Sequence, residues 1–216
     1  MSSAYNVVKD FEKEVASFCG AKYGVAVESC SAALFLSLKY LEAGGKIIDV
    51  PRRTYVSVAC QVVHAGARIR FTDNKTWQEV GYYQLSPLPI IDAAKVFAHN
   101  MCNWPNLRGK FVCLSFHGKK PLHIDRGGMI LTDDKKAVEW FKCARFDGRH
   151  EVQQLNDKYA MAGWNMYLTP GQAARGLERL QWMPKYTKVP FELYPDLKKY
   201  RFFTMANRPR KPGLNG

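Results

Sequence analysis

The sequence predicts an α/β fold whose sheet strands run mostly parallel. Three observations predict it. Between residues 23 and 72, apolar runs of strand length alternate with helix-length stretches, the pattern of βαβ units. Several apolar runs stop at a polar residue (Glu28-Ser29, Asp92, Ser115), and ligands gather at strand ends in such sheets. The 216 residues are 47% hydrophobic and 24% charged, which supplies a sizeable core in an ordinary globular composition.

Phe11, Val15 and Phe18 recur at helical spacing and Gly20 follows as a stop, so the chain opens with an amphipathic helix. Tyr23 to Val27 reads as a short buried strand. Glu28-Ser29-Cys30-Ser31 is a polar turn before a helix from Ala32 to Tyr40, closed by Gly44-Gly45. Ser29, Cys30 and Ser31 therefore stand at a helix N-terminus directly after a strand. Free N–H groups and the helix dipole suit that place to a phosphate, while serine there also serves as a plain N-cap. Lys46 to Val50 is a strand ended by Pro51, then come a helix over 56–65 with Gly66 as its cap and a strand from Arg68 to Thr72. Tyr55 lies just before that helix, either as packing or as a platform for a ring.

Periodicity is lost from Asn74 to Ser86, and Pro87 to Ile91 resumes as a buried strand ending in Asp92. Only 18 residues separate Asp73 from Asp92, against roughly 30 or more for a βαβ unit. An acid at the end of an apolar strand is costly if buried alone, so Asp92 requires a cation, a protonated ring nitrogen or water. Residues 96–109 read as loop or surface. Two strands, Phe111 to Leu114 and Met129 to Leu131, flank a connection containing Ser115, Lys119, Lys120 and Gly127-Gly128. An amine placed there can meet a carbonyl and form a Schiff base. Asp133-Asp134 caps a helix through Val138, Phe141 and Ala144, and 149–158 is polar loop. A last helix runs from Gly171 to about Trp182 with Ala174, Leu177 and Leu180 as its apolar members. The 36 residues from 181 to 216 are rich in proline, aromatics and basic side chains.

The 32 Lys and Arg outnumber the 19 Asp and Glu, for a net charge of +13. That excess suits an anionic partner, either nucleic acid or a phosphorylated small molecule. It is densest at the end (Lys198, Lys199, Arg201, Arg208, Arg210, Lys211), without zinc-finger or RNP-like spacing, so nucleic acid is not the expected partner. Six cysteines lie far apart with no C-x-x-C pair and no clustering with histidine, which predicts reduced thiols and no metal site. No apolar run reaches membrane-span length and Met1 to Ala4 shows no signal-peptide pattern. The expected setting is cytoplasmic, away from membranes.

Taken together, a phosphate turn, an aromatic, an acid and a lysine follow one another at strand ends. This is the set a pyridoxal phosphate enzyme needs: a lysine for the aldehyde, an acid for the pyridine nitrogen, a ring to stack, a helix N-terminus for the phosphate. The residues resemble the sugar aminotransferases of the DegT/DnrJ/EryC1/StrS family. Glu28-Ser29-Cys30-Ser31-Ala32-Ala33-Leu34 is similar to that family's phosphate turn, and Pro51 with Thr54-Tyr55 to its stacking segment. Asp92-Ala93-Ala94 is similar to its Asp-Ala-Ala, and Ser115-Phe116-His117 with Lys120 and Gly127-Gly128 to its Schiff-base loop. Gly163-Trp164-Asn165, with Gln172-Ala173-Ala174, is similar to the segment whose asparagine reaches the phosphate of the neighbouring subunit.

The resemblance implies a three-layer α/β sheet, the large domain of the fold-type I pyridoxal phosphate transferases, in a minimal version. Residues 1–180 would form it, shortened between 73 and 92, and residues 181–216 would replace the usual small domain. It implies Lys120 as the Schiff-base lysine and Ser29, Cys30, Ser31, Tyr55, Asp92, Lys95, Ser115 and Asn165 as cofactor contacts. The implied activity is amino transfer from an amino acid such as glutamate to a keto sugar, nucleotide-linked, in a homodimer with shared sites. The alternative is a homologue that binds the cofactor without turnover, as a binding or assembly protein. The chain departs from the family at Cys30 (a glycine elsewhere), Lys95 (glutamine or histidine), Pro121 (asparagine), Asp125-Arg126 (Gly-Glu) and Tyr167 (arginine). A cysteine at position 30 would be strained if that turn required positive φ.

Overall fold

The structure is a computed structural model that describes residues 5–205; Met1 to Ala4, and Arg208, Arg210 and Lys211 of the basic end, lie outside the described residues. Helix α1 (Asn6–Cys19) turns Val8, Phe11 and Val15 inward and ends at Gly20, whose φ of 75° is a left-handed cap. Strand β1 (Tyr23–Val27), α2 (Cys30–Tyr40), β2 (Ile47–Pro51), α3 (Val56–His64) and β3 (Arg68–Thr72) follow, each within two residues of its predicted bounds.

The aperiodic stretch after β3 holds a single helical turn, α4 (Trp77–Val80), and a two-residue strand, β4 (Tyr83–Gln84). Next come β5 (Ile90–Asp92), β6 (Val96–Ala98), β7 (Phe111–Ser115), β8 (Gly128–Thr132) and α5 (Lys135–Ala144). Helix α6 (Pro170–Leu180) starts at Thr169, which forms a capping box with Gln172. Strand β9 (Tyr186–Lys188) and helix α7 (Arg201–Met205) complete the described chain.

The main sheet has the order β1-β8-β7-β5-β4. Strands β1, β7 and β5 run one way, and β8 and β4 run the other. Strands β2 and β3 pair parallel, and Asp49 N–H donates to the Ser86 carbonyl (2.7 Å) beyond β4. The α/β class therefore holds in a mixed sheet.

Strand periodicity explains the layers, because successive side chains leave on opposite faces. Val25, Val27, Ile90, Cys113 and Ile130 enter one core, which α2, α3 and α5 cover. Ala26, Ile91, Val112, Leu114, Met129 and Leu131 enter the other, which α1 and α6 cover. Both faces are buried, as a three-layer arrangement demands.

Three expectations are corrected. Val96, Phe97 and Ala98, read as loop, are a fully buried strand paired antiparallel with β9. Three residues are too few to show alternation, and their partner lies some ninety positions away in sequence. On α6 the buried small residues are Ala173 and Gly176, while Ala174 is exposed. Gly176 is required there, since a Cβ would fall 2.5 Å from the Phe11 ring. The third correction concerns Cys30: it begins α2 and is not among the residues with positive φ, so the feared strain does not arise.

Residues after 180 join the same core. Leu197 and Phe203 are buried with the α2–α3 side, and the buried Asp196 meets Arg52 Nη2 at 2.5 Å.

On the opposite face, Glu12 (4% exposed) and Arg145 (3% exposed) form a buried ion pair that also binds β1. Glu12 Oε1 accepts from Ala26 N–H (2.9 Å), and Arg145 donates to the Ala26 carbonyl. Glu12→Ala leaves the buried Ala26 N–H without its acceptor and Arg145 with Glu151 (3.2 Å) as its remaining carboxylate, so it is expected to cost about 3 kcal/mol in urea unfolding. Lys9→Ala removes an exposed pair with Glu151 (2.9 Å) and is expected to change stability by less than about 1 kcal/mol. Equal effects from the two would contradict the assignment of the anchor.

Candidate active site

Because β1, β5 and β7 run the same way, Ser29, Asp92 and Ser115 leave the sheet on one edge. Ser29 is the N-cap of α2, its Oγ accepting from Ala32 N–H (3.1 Å). The first N–H groups of a helix have no acceptor within it and favour an anion. The Ser31 hydroxyl donates to Ser57 Oγ (2.8 Å), which joins the start of α2 to the first turn of α3. Gly128 packs directly on this turn: a Cβ would stand 2.4 Å from the Ser29 carbonyl carbon. Only glycine lets the strand behind the lysine loop reach the Ser29–Ser31 turn so closely. Cys30 lies beneath, its thiol 3.7 Å from the Cys113 carbonyl; burial, then Asp92 and Cys113, push that thiol up, while Lys120 pulls it down.

The lysine loop is held from both sides. Phe116 N–H donates to Gly127 O (2.9 Å) and Ile124 N–H to Phe116 O (2.9 Å), with Phe116, Leu122 and Ile124 buried. Lys120 N–H closes a turn on His117 O (2.8 Å). Lys120 is half-buried whereas Lys119 is exposed, which separates the two lysines. The charge of Lys120 acts on Asp92, Cys30, Lys95 and Glu192, so the fold brings these groups together. Downstream, Asp125 has φ of 73° and pairs with Arg175, and Arg126 pairs with Glu28 at 2.6 Å.

Asp92 is 6% exposed. Its Oδ1 accepts from Ala94 N–H (3.0 Å) and its Oδ2 from the Tyr83 hydroxyl (2.8 Å), which lies 2.7 Å from Thr54 Oγ1. Burial pushes the Asp92 carboxyl above its ordinary value, opposed by Ala94 N–H, the Tyr83 hydroxyl and Lys120. Carboxylate lone pairs remain for a further donor, such as a ring N–H.

Lys95 is 2% exposed, beside Trp77 and Tyr194, with Glu192 Oε2 at 3.4 Å from its Nζ. Burial pushes its pKa down and Glu192 pushes it back up. Tyr55 caps α3 with its side chain 60% exposed, in electrostatic reach of Tyr194. Ser115 is half-buried at the end of β7, its Oγ 3.5 Å from His117 N. Asn165 is exposed and donates to Asp147 Oδ2 (3.1 Å), and the next residue, Met166, accepts from Glu28 N–H (2.8 Å). A cleft of about 150 Å3 lined by Arg52, Arg53, Asp73, Asn74 and Lys75 opens on the side where Arg53 holds the Tyr194 carbonyl (3.1 Å).

Sequence reasoning missed Thr54, Trp77, Tyr83, Glu192 and Tyr194. Thr54 adjoins a residue it did single out. The others lie in the aperiodic stretch and the tail, where no pattern marks them. Among the described residues no group could hold a metal ion, all six cysteines are free, and no helix is long and apolar enough to cross a membrane.

An acid whose value is raised by folding holds a proton that the unfolded chain releases. Stability therefore falls as pH rises from the ordinary value, 3.8, through the raised one. Asp92→Asn is expected to melt at a higher temperature than the parent at pH 7.5, with the gap narrowing as pH falls towards 3.8. A gap that is absent, or that widens as pH falls, would overturn the account of Asp92.

The DegT/DnrJ/EryC1/StrS aminotransferase family profile matches residues 1–80 and 90–195. The spore coat polysaccharide biosynthesis protein SpsC of Bacillus subtilis (strain 168) is 48% identical over 201 residues, covering 76% of this chain and 49% of that protein. GDP-perosamine synthase of Caulobacter vibrioides is 28% identical, covering 98% of this chain and 66% of that one. In structure, 3-amino-5-hydroxybenzoic acid synthase superposes with a TM-score of 0.67 at 21% identity, over 82% of this chain and 56% of that one. Helicobacter pylori PseC, an aminotransferase involved in pseudoaminic acid biosynthesis, gives 0.65 at 18% identity, over 85% and 59%. The chain thus spans about half to two-thirds of the length of these relatives. With the family profile matched along both stretches, the chain belongs to the DegT/DnrJ/EryC1/StrS aminotransferase family.

Proposed function

We propose that this chain binds pyridoxal 5′-phosphate and serves amino transfer to a keto sugar, nucleotide-linked, with Lys120 as the residue that joins the cofactor. The observation that carries the reading is that the buried Asp92 and the Ser29–Ser31 turn share one sheet edge with the half-buried Lys120, whose charge acts on Asp92. When bound, the cofactor supplies an aldehyde for amines and a protonated ring that draws electrons from a neighbouring bond.

Each residue has a task toward that group. The first turn of α2, with Ser29 and Ser31, and Ser115 donate hydrogen bonds to its phosphate. Asp92 accepts from the ring N–H and favours its protonation. Tyr55 offers a ring face, and Lys95 lies within electrostatic reach of Lys120. Lys120 Nζ carries the proton between the carbon and nitrogen of the transferred amine. Asn165, an exposed side chain bonded to Asp147, is assigned to the phosphate of a second copy, which makes a homodimer part of the proposal. In this reading residues 1–180 are the cofactor-binding part and residues 181–216 an extension, of which Leu197 and Phe203 are buried against it. In the cleft where Arg52 is paired with Asp73 and Asp196, Arg53 and Lys75 remain to meet a nucleoside diphosphate, and glutamate is the amino donor. Six free thiols fit a reducing, cytoplasmic setting.

Treating the protein with pyridoxal phosphate and borohydride is expected to leave one reduced pyridoxyl label, mapped to Lys120 by peptide mass. Lys120→Ala should abolish it and Lys119→Ala should leave it. A label that survives in Lys120→Ala sinks the assignment. Adding L-glutamate to the loaded protein should release one equivalent of 2-oxoglutarate. No oxo acid from glutamate or any other amino donor would favour a binding protein without turnover.

A further inference from the structure

Lys95 is buried, yet among the described residues its Nζ has no hydrogen-bond acceptor. Its compensation is partial. Glu192 Oε2 at 3.4 Å is beyond the roughly 2.7–2.9 Å of a charge-assisted hydrogen bond. The rings of Trp77 and Tyr194 face it at 5.8 and 5.7 Å. Glu192 is delivered by a strap running from Val189 to Leu197. The strap is tied at its ends, Val189 N–H to Lys95 O (2.8 Å) and Leu197 N–H to Arg52 O (2.8 Å). In between, Gln78 Oε1 accepts from Glu192 N–H (3.1 Å) and the Tyr194 hydroxyl donates to Glu192 Oε2. Phe191 and Leu193, on either side of Glu192, are 68% and 89% exposed, so no core contact of theirs pins the strap at this point.

A carboxylate on a two-carbon stem thus stands 3.4 Å from a buried, incompletely satisfied cation, and the charge of Lys120 acts on that carboxylate. Free glutamate and 2-oxoglutarate carry the same group on the same stem. We propose that Lys95 is the receptor for the carboxylate of a small dicarboxylic acid, and that Glu192 is a tethered stand-in which this acid displaces. Why such an acid comes here rests on the aminotransferase reading; the binding itself needs neither cofactor nor turnover.

A tethered group competes at an effective concentration on the order of millimolar, and the free ligand's affinity is reduced by the fraction of strap that is displaced. In calorimetric titration of the whole chain with 2-oxoglutarate, no cofactor added, Glu192→Gln is expected to bind about tenfold tighter than the parent. Tyr194→Phe, which loosens Glu192 but keeps its charge, should give a smaller gain. Lys95→Met should abolish binding in the Glu192→Gln background, and inorganic phosphate should gain little from Glu192→Gln. Unchanged affinity in both Glu192→Gln and Tyr194→Phe overturns the proposal. So does full binding without Lys95, or an equal gain for phosphate. Borohydride labelling of the same preparations separates the two readings. A Lys120 label with no gain in acid binding leaves the cofactor reading standing and this one overturned; the reverse outcome does the opposite.

Discussion

Asp92 is the constraint around which the rest is arranged. A carboxylate taken out of water must be met by donors or surrender its charge. Here one oxygen takes the Ala94 N–H just past the strand, and the other takes the Tyr83 hydroxyl, which in turn meets Thr54. A single buried acid therefore ties β5, β4 and the turn between β2 and α3, where Tyr55 stands. The short connection after Asp73 makes sense in this light. It is too short for a helical crossover, but one helical turn and a two-residue antiparallel strand suffice to deliver Tyr83 to Asp92 and Trp77 to Lys95.

Against that fixed acid, the lysine loop is positioned by packing more than by polar contacts. Phe116, Leu122 and Ile124 are buried around Lys120, and the approach of Gly128 to Ser29 sets the loop against the start of α2. Asp125 holds the left-handed backbone for which glycine is favoured, and its pairing with Arg175 of α6 accompanies that geometry. Asp125 and Arg126 thus carry exposed ion pairs, with Arg175 and Glu28.

The tail inverts what its composition suggests. Its cations Lys198, Lys199 and Arg201 face solvent, while its acids Glu192 and Asp196 turn inward, to Lys95 and Arg52. A net positive charge describes the surface of that segment. The two buried or half-buried acids describe how it packs, because a charge leaves water only where an opposite charge waits.

The elements from Phe11 to Thr72, both strands around the lysine and the order Ser29, Tyr55, Asp92, Lys120 follow from local pattern alone. Alternation and helical spacing are carried by near neighbours in sequence, and turn residues announce themselves by type. The sequence likewise required that Asp92 have a partner, since an apolar strand ending in an acid poses that question by itself. It could not say that Tyr83 answers it, that Val96 to Ala98 pair with Tyr186 to Lys188, or that Glu192 reaches Lys95. Those contacts join residues whose own surroundings lack any period, some of them about ninety positions apart. Only the closed sheet and its packed faces decide which of many polar side chains arrive at one strand edge, and that is a property of the whole chain's burial.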